Sequence, residues 1–135
     1  MGISGIPNSV DIAISGLRAE AARMNAIAGN IANSKTTRTS SGGPYRRQEI
    51  ILSTNGDAFS GPTIQGLAPD MSTDFKQVHN PGHPDADKDG FVKMPNVDLP
   101  VEMIGLVAAS RAYQANAAVL KRHQEIMDAA IALLK

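Results

Sequence analysis

Two apolar stripes at helical spacing run along residues 101–135 and limit how this chain can bury its surface. This segment is predicted to be one long helix, with Asp98 as its N-cap and Pro100 in its first turn. A helix that packs on one neighbour needs only one apolar stripe, so two stripes predict at least two neighbours. The first stripe is Met103, Leu106, Ser110, Tyr113, Ala117, Leu120, Gln124, Met127, Ile131 and Leu134. The second is Val101, Ile104, Ala108, Ala112, Ala115, Val119, Ile126, Ala130 and Leu133.

Residues 8–33 are predicted to form the other long helix of the chain. Asn8 is the predicted N-cap, and Asp11 suits the positive end of the helix dipole. The helix is expected to end near Asn33, since a polar and turn-forming stretch follows. One helix cannot cover both stripes of the other, which predicts an apolar surface that further chains bury. The apolar residues of the helix at 8–33 follow heptad spacing and form what we call its heptad seam: Val10, Ile14, Leu17, Ala21, Met24, Ala28 and Ile31.

Residues 34–100 hold most of the glycine and proline and are predicted to form a small, irregular β or loop insert. Because aromatic residues make up only 4% of the chain, the insert has little large apolar surface with which to wrap the helices. Strands are expected at 45–53, 62–67, 73–78 and 91–94, between turn signals such as Asn55-Gly56-Asp57.

The predicted fold class is therefore mainly α. Residues 1–33 and 101–135 form long terminal helices that pack as a coiled-coil-like domain, and residues 34–100 form the insert between them. The alternative is one small domain in which the helices and the insert fold back on each other.

Charge and composition exclude several classes of function. The 13 basic and 13 acidic side chains cancel, and no basic run marks a nucleic-acid interface. Cysteine is absent, which excludes disulfides and thiolate catalysis. No apolar run approaches the about 20 residues of a membrane span. The N-terminus lacks the pattern of a cleaved signal peptide, which taken alone suggests a cytoplasmic protein.

The segment Asp85–Gly90 matches the first half of a calcium-binding loop, with carboxylates at positions 1, 3 and 5 and glycine at position 6. Position 12 is Asn96, which cannot supply the two carboxylate oxygens expected there, and Pro84 and Pro95 remove the flanking helices. We therefore expect a surface turn and no metal. A calcium-binding module over Asp85–Asn96 is kept as an alternative.

Arrangements for catalysis or cofactor binding are not found in the sequence. His79 and His83 are separated by Asn-Pro-Gly, which forbids a helix that would align them, and His123 is expected to be solvated or interfacial. No Ser-His-Asp order, phosphate loop or dinucleotide fingerprint is found. We predict that the chain is not an enzyme and needs no cofactor. The cluster at residues 45–47 is interpreted as the start of a strand with solvated arginine side chains.

Five segments, in the expected order and over nearly the whole chain, resemble the flagellar rod, hook and hook-associated proteins. The segment Asn30-Ile31-Ala32-Asn33 is similar to the NxAN motif of that family, and the others are similar to its FlgC-type proximal-rod members. Departures are Phe91, where Tyr is usual, and Asp98, where Asn is common. The FlgC-like segments are Pro44-Tyr45-Arg46, His83–Asp87 with Gly90–Val92, Pro95–Asp98 with Glu102-Met103, and Arg111–Asn116.

The resemblance implies a structural subunit of the proximal rod of the flagellar basal body, which transmits torque through the packing of its terminal helices. It implies other rod proteins, the rod adaptor, the inner-membrane ring protein and further copies of the chain in a helical assembly as partners. It also implies export through the type III apparatus without a cleaved signal, so the expected location is the periplasmic rod and not the cytoplasm.

Candidates for the assembly interface come from the stripes and from three asparagines. Asn30, Asn33 and Asn116 are expected to form hydrogen bonds that fix helix ends or register; alternatively, Asn33 is a helix C-cap and Asn116 is solvated. A helical-pair module that binds another protein is the alternative function. The candidates are Leu17, Met24, Asn30, Ile31, Asn33, Tyr113, Asn116, Val119, Leu120, Met127 and Leu134.

Overall fold

A computed structural model describes residues 9–54 and 61–134, where two long helices flank a small β region. Helix α1 spans Ser9–Ala32 and helix α2 spans Leu99–Leu133. Both predicted helices are confirmed. The predicted N-cap Asn8 and the predicted turn Asn55-Gly56-Asp57 lie outside the described residues.

The C-terminal end of α1 is closed by side chains. The Nδ2 group of Asn33 donates a hydrogen bond to the Gly29 carbonyl at 2.9 Å, and the Ser34 hydroxyl donates to the Ile31 carbonyl at 2.8 Å. The same two carbonyls also accept the backbone N–H groups of Asn33 and Ser34, at 3.1 and 3.2 Å, so each has two donors at the helix end. Asn33 lies directly after Ala32, the last residue of α1, and bonds back to the helix through its side chain. It is not a C-cap of the left-handed type, since no non-glycine residue of the described ranges has a positive φ.

Helix α2 begins as the sequence predicts. Asp98 has an extended backbone, its carboxylate accepts a hydrogen bond from the Val101 N–H at 3.3 Å, and Pro100 lies in the first turn. The helix has 35 residues against 24 in α1, or about 52 Å against about 36 Å at 1.5 Å per residue. Neither helix of the described ranges has the length and apolarity needed to cross a membrane.

The two helices pack as an antiparallel pair whose contact is built from small residues. A Cβ atom added to Gly16 would lie 2.7 Å from Nδ2 of Asn116, and one added to Gly105 would lie 3.4 Å from Cδ1 of Ile27. At Gly16 an added methyl group would displace the Asn116 amide, whereas at Gly105 it would make an ordinary van der Waals contact with Ile27. The buried apolar residues of the pair are Ala13, Ala19, Ala26, Ile27 and Ala109.

The β region contains two separate antiparallel pairs of strands. Strand β1 (Gln48–Ser53) pairs with β2 (Thr63–Pro69), and β3 (Lys76–His79) pairs with β4 (Phe91–Met94). The predicted strands are present, with β1 and β3 shorter at their starts than expected. Within the described residues, the β1–β2 pair packs on α1, whereas α2 packs on α1 and on neither strand pair.

Candidate assembly surface and its polar junction

Helix α2 meets α1 along a narrow strip that lies between its two apolar stripes. The strip comprises Glu102, Gly105, Ala109 and Asn116, of which Glu102 and Ala109 are buried and the others half-buried. The stripes flank this strip and stay largely open. Their exposed large side chains are Val101, Met103, Ile104, Tyr113, Val119, Ile126, Met127, Ile131, Leu133 and Leu134. We call these ten side chains the α2 apolar surface. Exposed apolar rows of this size mark an interaction site.

The candidate residues on α2 are spread along its length. Tyr113, Val119 and Met127 are between 38% and 50% exposed, and Leu134, just after the helix, is 88% exposed. Leu120 is half-buried. Asn116 is half-buried against Gly16 and is therefore not the freely solvated residue of the alternative interpretation.

The candidate residues on α1 lie beside its most buried positions. Leu17, Met24 and Ile31 of the predicted heptad seam are half-buried, and Ala28 of the same seam is exposed. The structure buries the neighbouring alanines instead, because the pair closes on small side chains. Which neighbour packs against the seam stays a prediction.

Asn30 forms the centre of a buried polar cluster. Only 1% of the residue is exposed. Its Nδ2 group donates to the Gln48 carbonyl at 3.0 Å and to Oε2 of Glu102 at 3.2 Å. Its Oδ1 atom accepts from the Tyr45 hydroxyl at 3.0 Å and from the Gln48 N–H at 2.8 Å. The amide thus uses both donors and both acceptors, and it ties α1 to α2 and to the start of β1.

Glu102 is 2% exposed and is neutralised by Arg47, whose Nε donates to its Oε1 at 2.5 Å. Burial alone would lower the pKa of Arg47, but its hydrogen bonds to Glu102 and Glu49 outweigh burial and raise that pKa. Burial, and then the charge of Glu102, raises the pKa of Tyr45, so its hydroxyl stays neutral and donates to Asn30. Removing one partner of such a buried pair is costly, because the other charge is left unpaired.

Asn96 links this pair to the turn that follows β2. Its Oδ1 accepts from the Arg47 N–H at 2.7 Å, and its Nδ2 donates to the carbonyls of Asp70 and Thr73, both at 3.2 Å. Arg46 donates to the same two carbonyls, at 2.7 and 3.2 Å, and its guanidinium lies 4.2 Å from the centre of the Phe75 ring. The interpretation of these arginines as solvated is therefore wrong, because neighbouring acceptors engage both.

We call the set Asn30, Tyr45, Arg46, Arg47, Asn96 and Glu102 the polar junction. Sequence reasoning selected only Asn30 of this set as a site residue. A signal for Glu102 was available, since a carboxylate on a helical strip with Gly105 and Ala109 predicts a buried ionic partner. Asn96 entered the sequence argument only as an unsuitable calcium ligand.

The acidic loop at residues 85–90 uses its carboxylates within the protein. Asp85 accepts a hydrogen bond from the Thr37 hydroxyl at 2.7 Å and pairs with Arg38; the Thr37 bond lowers the pKa of Asp85 most. Asp87 accepts from the N–H groups of Asp89 and Phe91 at 3.0 and 2.8 Å. Across residues 9–54 and 61–134, no three metal-binding side chains come together.

Comparisons with known proteins agree over most of the chain. Residues 11–38 match the family model described as "Flagella basal body rod protein", and residues 88–133 match "Flagellar basal body rod FlgEFG protein C-terminal". The chain is 38% identical to the flagellar basal-body rod protein FlgC of Borreliella burgdorferi, over 97% of this chain and 99% of that one. It is 40% identical to FlgC of Escherichia coli O6:H1, over 89% and 91% of the two chains. With FlgC of Bacillus subtilis it shares 31% identity, over 95% and 97%.

Proposed function

This chain belongs to the FlgC-type flagellar basal-body rod proteins, and from that premise we propose that it is a subunit of the proximal rod that passes torque from the motor towards hook and filament. The relatives match it over nearly their full lengths, so the likeness includes both helices and the β region. The role is structural and involves no catalysis.

The exposed α2 apolar surface is the observation that carries this proposal. In the described residues α2 has one helical neighbour, α1, and that contact leaves large side chains of both apolar stripes exposed. Burial against other chains removes this surface from water, which is the main favourable term in protein association. The neighbours we propose are other rod proteins, further copies of this chain, the rod adaptor and the inner-membrane ring protein.

Transmission of torque requires that subunits do not slide past one another. Close-packed helix contacts resist sliding, because packed interiors have few voids and low compressibility. Subunits related by a rotation that does not close build a helical tube and not a ring. We propose that the helices of neighbouring subunits pack in this manner, with coiled-coil-like seams formed by the α2 stripes and by the heptad seam of α1.

We further propose that the chain reaches the periplasmic part of the basal body through the type III export apparatus, without a cleaved signal. This proposal rests on the likeness to flagellar basal-body rod proteins. Residues 1–33 with 101–135 are proposed as the axial domain, and residues 34–100 as the insert.

Deletion and complementation test the proposed function. A strain that lacks this chain should build no rod beyond the inner-membrane ring and should not swim, and the wild-type chain supplied in trans should restore both. Basal bodies purified from the complemented strain should contain the chain after washing at high salt. A deletion strain that swims normally would exclude the rod role and favour a separate protein-binding module.

A further inference from the structure

The polar junction lies at one end of the helix pair, where the helices meet the β region. Asn30 lies near the end of α1 and Glu102 near the start of α2, and both side chains reach the segment before β1. Since α2 packs on neither strand pair in the described residues, its side-chain ties to the β region are the Glu102–Arg47 pair, whose carboxylate is buried, and the exposed Asp98–Lys76 pair at its N-cap. A force that turns the helices relative to the β region therefore acts on this junction.

The junction forms a continuous chain of directional bonds from α2 into the β region. Glu102 binds the Arg47 side chain, the Arg47 N–H binds Asn96, and Asn96 holds the Asp70 and Thr73 carbonyls. Asn30 joins the first step of this path to α1. In residues 9–54 and 61–134, no buried polar side-chain atom lacks a hydrogen-bond partner. The network is therefore complete on the described side chains alone.

Directional bonds resist rotation in a way that apolar contacts do not. The hydrophobic effect depends on the area that is buried and is non-directional, so burial alone does not fix an angle, and an apolar contact resists movement only through the close packing of its side chains. A hydrogen bond weakens steeply as its angle departs from linearity. A fully satisfied buried network rigidifies the segments that it joins. The junction therefore fixes the angle between the segments that it joins. The small-residue contact holds the two helices close together, but only over a narrow strip.

We propose that the polar junction is the joint that holds the helix pair and the β region at a fixed angle when the rod is under torsional load. This inference rests on the proposed rod function and deepens it by naming the residues that carry load within one subunit. Glu102, Arg47, Asn30 and Asn96 are positioning residues, since they orient two parts of the subunit and leave the α2 apolar surface free for neighbours.

The proposal separates assembly from load. Substitutions on the α2 apolar surface remove contacts between subunits. Substitutions in the junction leave those contacts in place and weaken the bonds that fix the angle between the helix pair and the β region. A rod built from junction variants should therefore form, and it should fail only when the motor works against resistance.

Glu102→Gln tests this separation, because it keeps the side-chain volume and removes the charge that Arg47 binds. The matched control is Ile27→Val, which shortens a buried side chain of the helix pair near Gly105 and leaves the junction intact. Both are expressed in the deletion strain, flagella are counted, and the rotation of beads attached to filament stubs is recorded at low and high viscous load. Rotors with Glu102→Gln should turn at wild-type speed at low load and stall at a load that wild-type and Ile27→Val rotors sustain.

Tyr45→Phe provides a second, milder variant, since it removes only the hydroxyl that donates to Asn30. It should also stall earlier than Ile27→Val. Equal load curves for the junction variants and Ile27→Val would overturn the proposal. If neither junction variant builds flagella, the network serves folding or assembly and the proposal is likewise overturned.

These outcomes are distinct from failure of the proposed function itself. That function fails if the deletion strain swims, or if the wild-type chain does not restore flagella. The proposal about the polar junction fails if the wild-type chain works normally and the junction variants respond to load as the Ile27→Val control does.

Discussion

Gly16 on α1 stands directly against Asn116 on α2, so closely that a Cβ atom on Gly16 would lie 2.7 Å from Nδ2 of Asn116. Further along the pair, Ile27 lies against Gly105 and Asn30 bonds to Glu102. Residue numbers rise on one helix as they fall on the other, so the three contacts define a single antiparallel register. Small and polar residues make most of these contacts, and Ile27 is the one large apolar side chain among them.

The contact between Gly16 and Asn116 predicts strong coupling between substitutions at the two positions. Gly16→Ala raises helix propensity by about 1 kcal/mol, but the new methyl group displaces the Asn116 amide. In an Asn116→Ala background that obstacle is gone, so Gly16→Ala should stabilise by up to about 1 kcal/mol. In the wild-type background it should stabilise less or destabilise. A double-mutant cycle in urea measures this, and additive effects would contradict the close contact.

Both apolar stripes of α2 are predicted to be needed for assembly. Val119→Asp places a charge on one stripe and Leu120→Asp on the other, and an unpaired carboxylate is costly in a desolvated helix contact. Each variant should abolish swimming in soft agar while the chain is still found outside the inner membrane. Normal swimming by either variant would refute packing on both sides.

The control for these substitutions is Gln114→Asp, which introduces the same charge on the same helix. Gln114 is exposed and belongs to neither stripe. Halos of the control strain should match the wild type. A variant that is not exported at all does not enter the comparison, which is why the chain is assayed in the periplasmic fraction as well.

Hydrogen exchange in the purified monomer should vary along α2. Ala109 and Glu102 are buried against α1, whereas the positions from 124 to 134 are all exposed. Amides near 102–112 should therefore exchange more slowly than those near 124–134, because a helix end without a partner opens readily. Mass spectrometry of peptides from the two regions measures the difference. Uniformly slow exchange throughout α2 in a verified monomer would contradict the assembly proposal.

Because of Asp98, the stability of the folded chain should fall more steeply as the pH is lowered into the acid range. Its carboxylate accepts a hydrogen bond from the Val101 N–H and also pairs with Lys76. Both interactions lower the pKa of Asp98, and the Val101 bond lowers it most. A lowered pKa in the folded state gives stability that is present above the ordinary pKa of about 3.9 and is lost as pH falls through the lowered value. Asp98→Asn keeps an acceptor but does not titrate, so its melting temperature should change less below about pH 4.

At neutral pH the two substitutions of Asp98 should differ. Asp98→Ala removes the N-cap of α2 and should lower the melting temperature by a few degrees, whereas Asp98→Asn should stay close to the wild type. Circular dichroism melts at pH 7 give this comparison. Equal melting temperatures for the alanine and asparagine variants would show that the cap contributes nothing.

Millimolar calcium should leave the melting temperature unchanged. The carboxylates of Asp85 and Asp87 are already engaged by protein donors, and a cation would have to displace the Arg38 pair. Any ligand that binds the folded state raises its stability, so melting with and without calcium is a direct test. A rise of several degrees, absent with magnesium, would establish a calcium site.

Periodicity and capping chemistry predicted the helices well, because these signals are local. Asp98, Pro100 and Asn33 act at the helix ends through neighbours a few residues away. The face on which the helices meet was not predictable in the same way. Apolar periodicity pointed to the stripes, whereas the closest backbone approach selected the strip with Gly105 and Ala109 between them.

The polar junction could be predicted only in part, because its members are far apart in sequence. Arg47 and Glu102 are separated by 55 positions, and their pairing depends on the fold of everything between them. A single arginine beside a strand is usually solvated, so composition favoured that interpretation. Asn30 was selected because the motif near the end of α1 resembles a family pattern, and not because its partners could be identified.

The long separation of paired groups also determines the order in which the chain can fold. Asn30 and Glu102 are 72 positions apart, and α1 leaves the ribosome well before α2. A lone helix is marginal in water, and an alanine and glycine face gives it little apolar area to bury early. Closing a distant contact is a slow step in folding. The nascent chain therefore stays without its native helix pairing until its last third is made, and a chain in that state can still be threaded through a narrow channel.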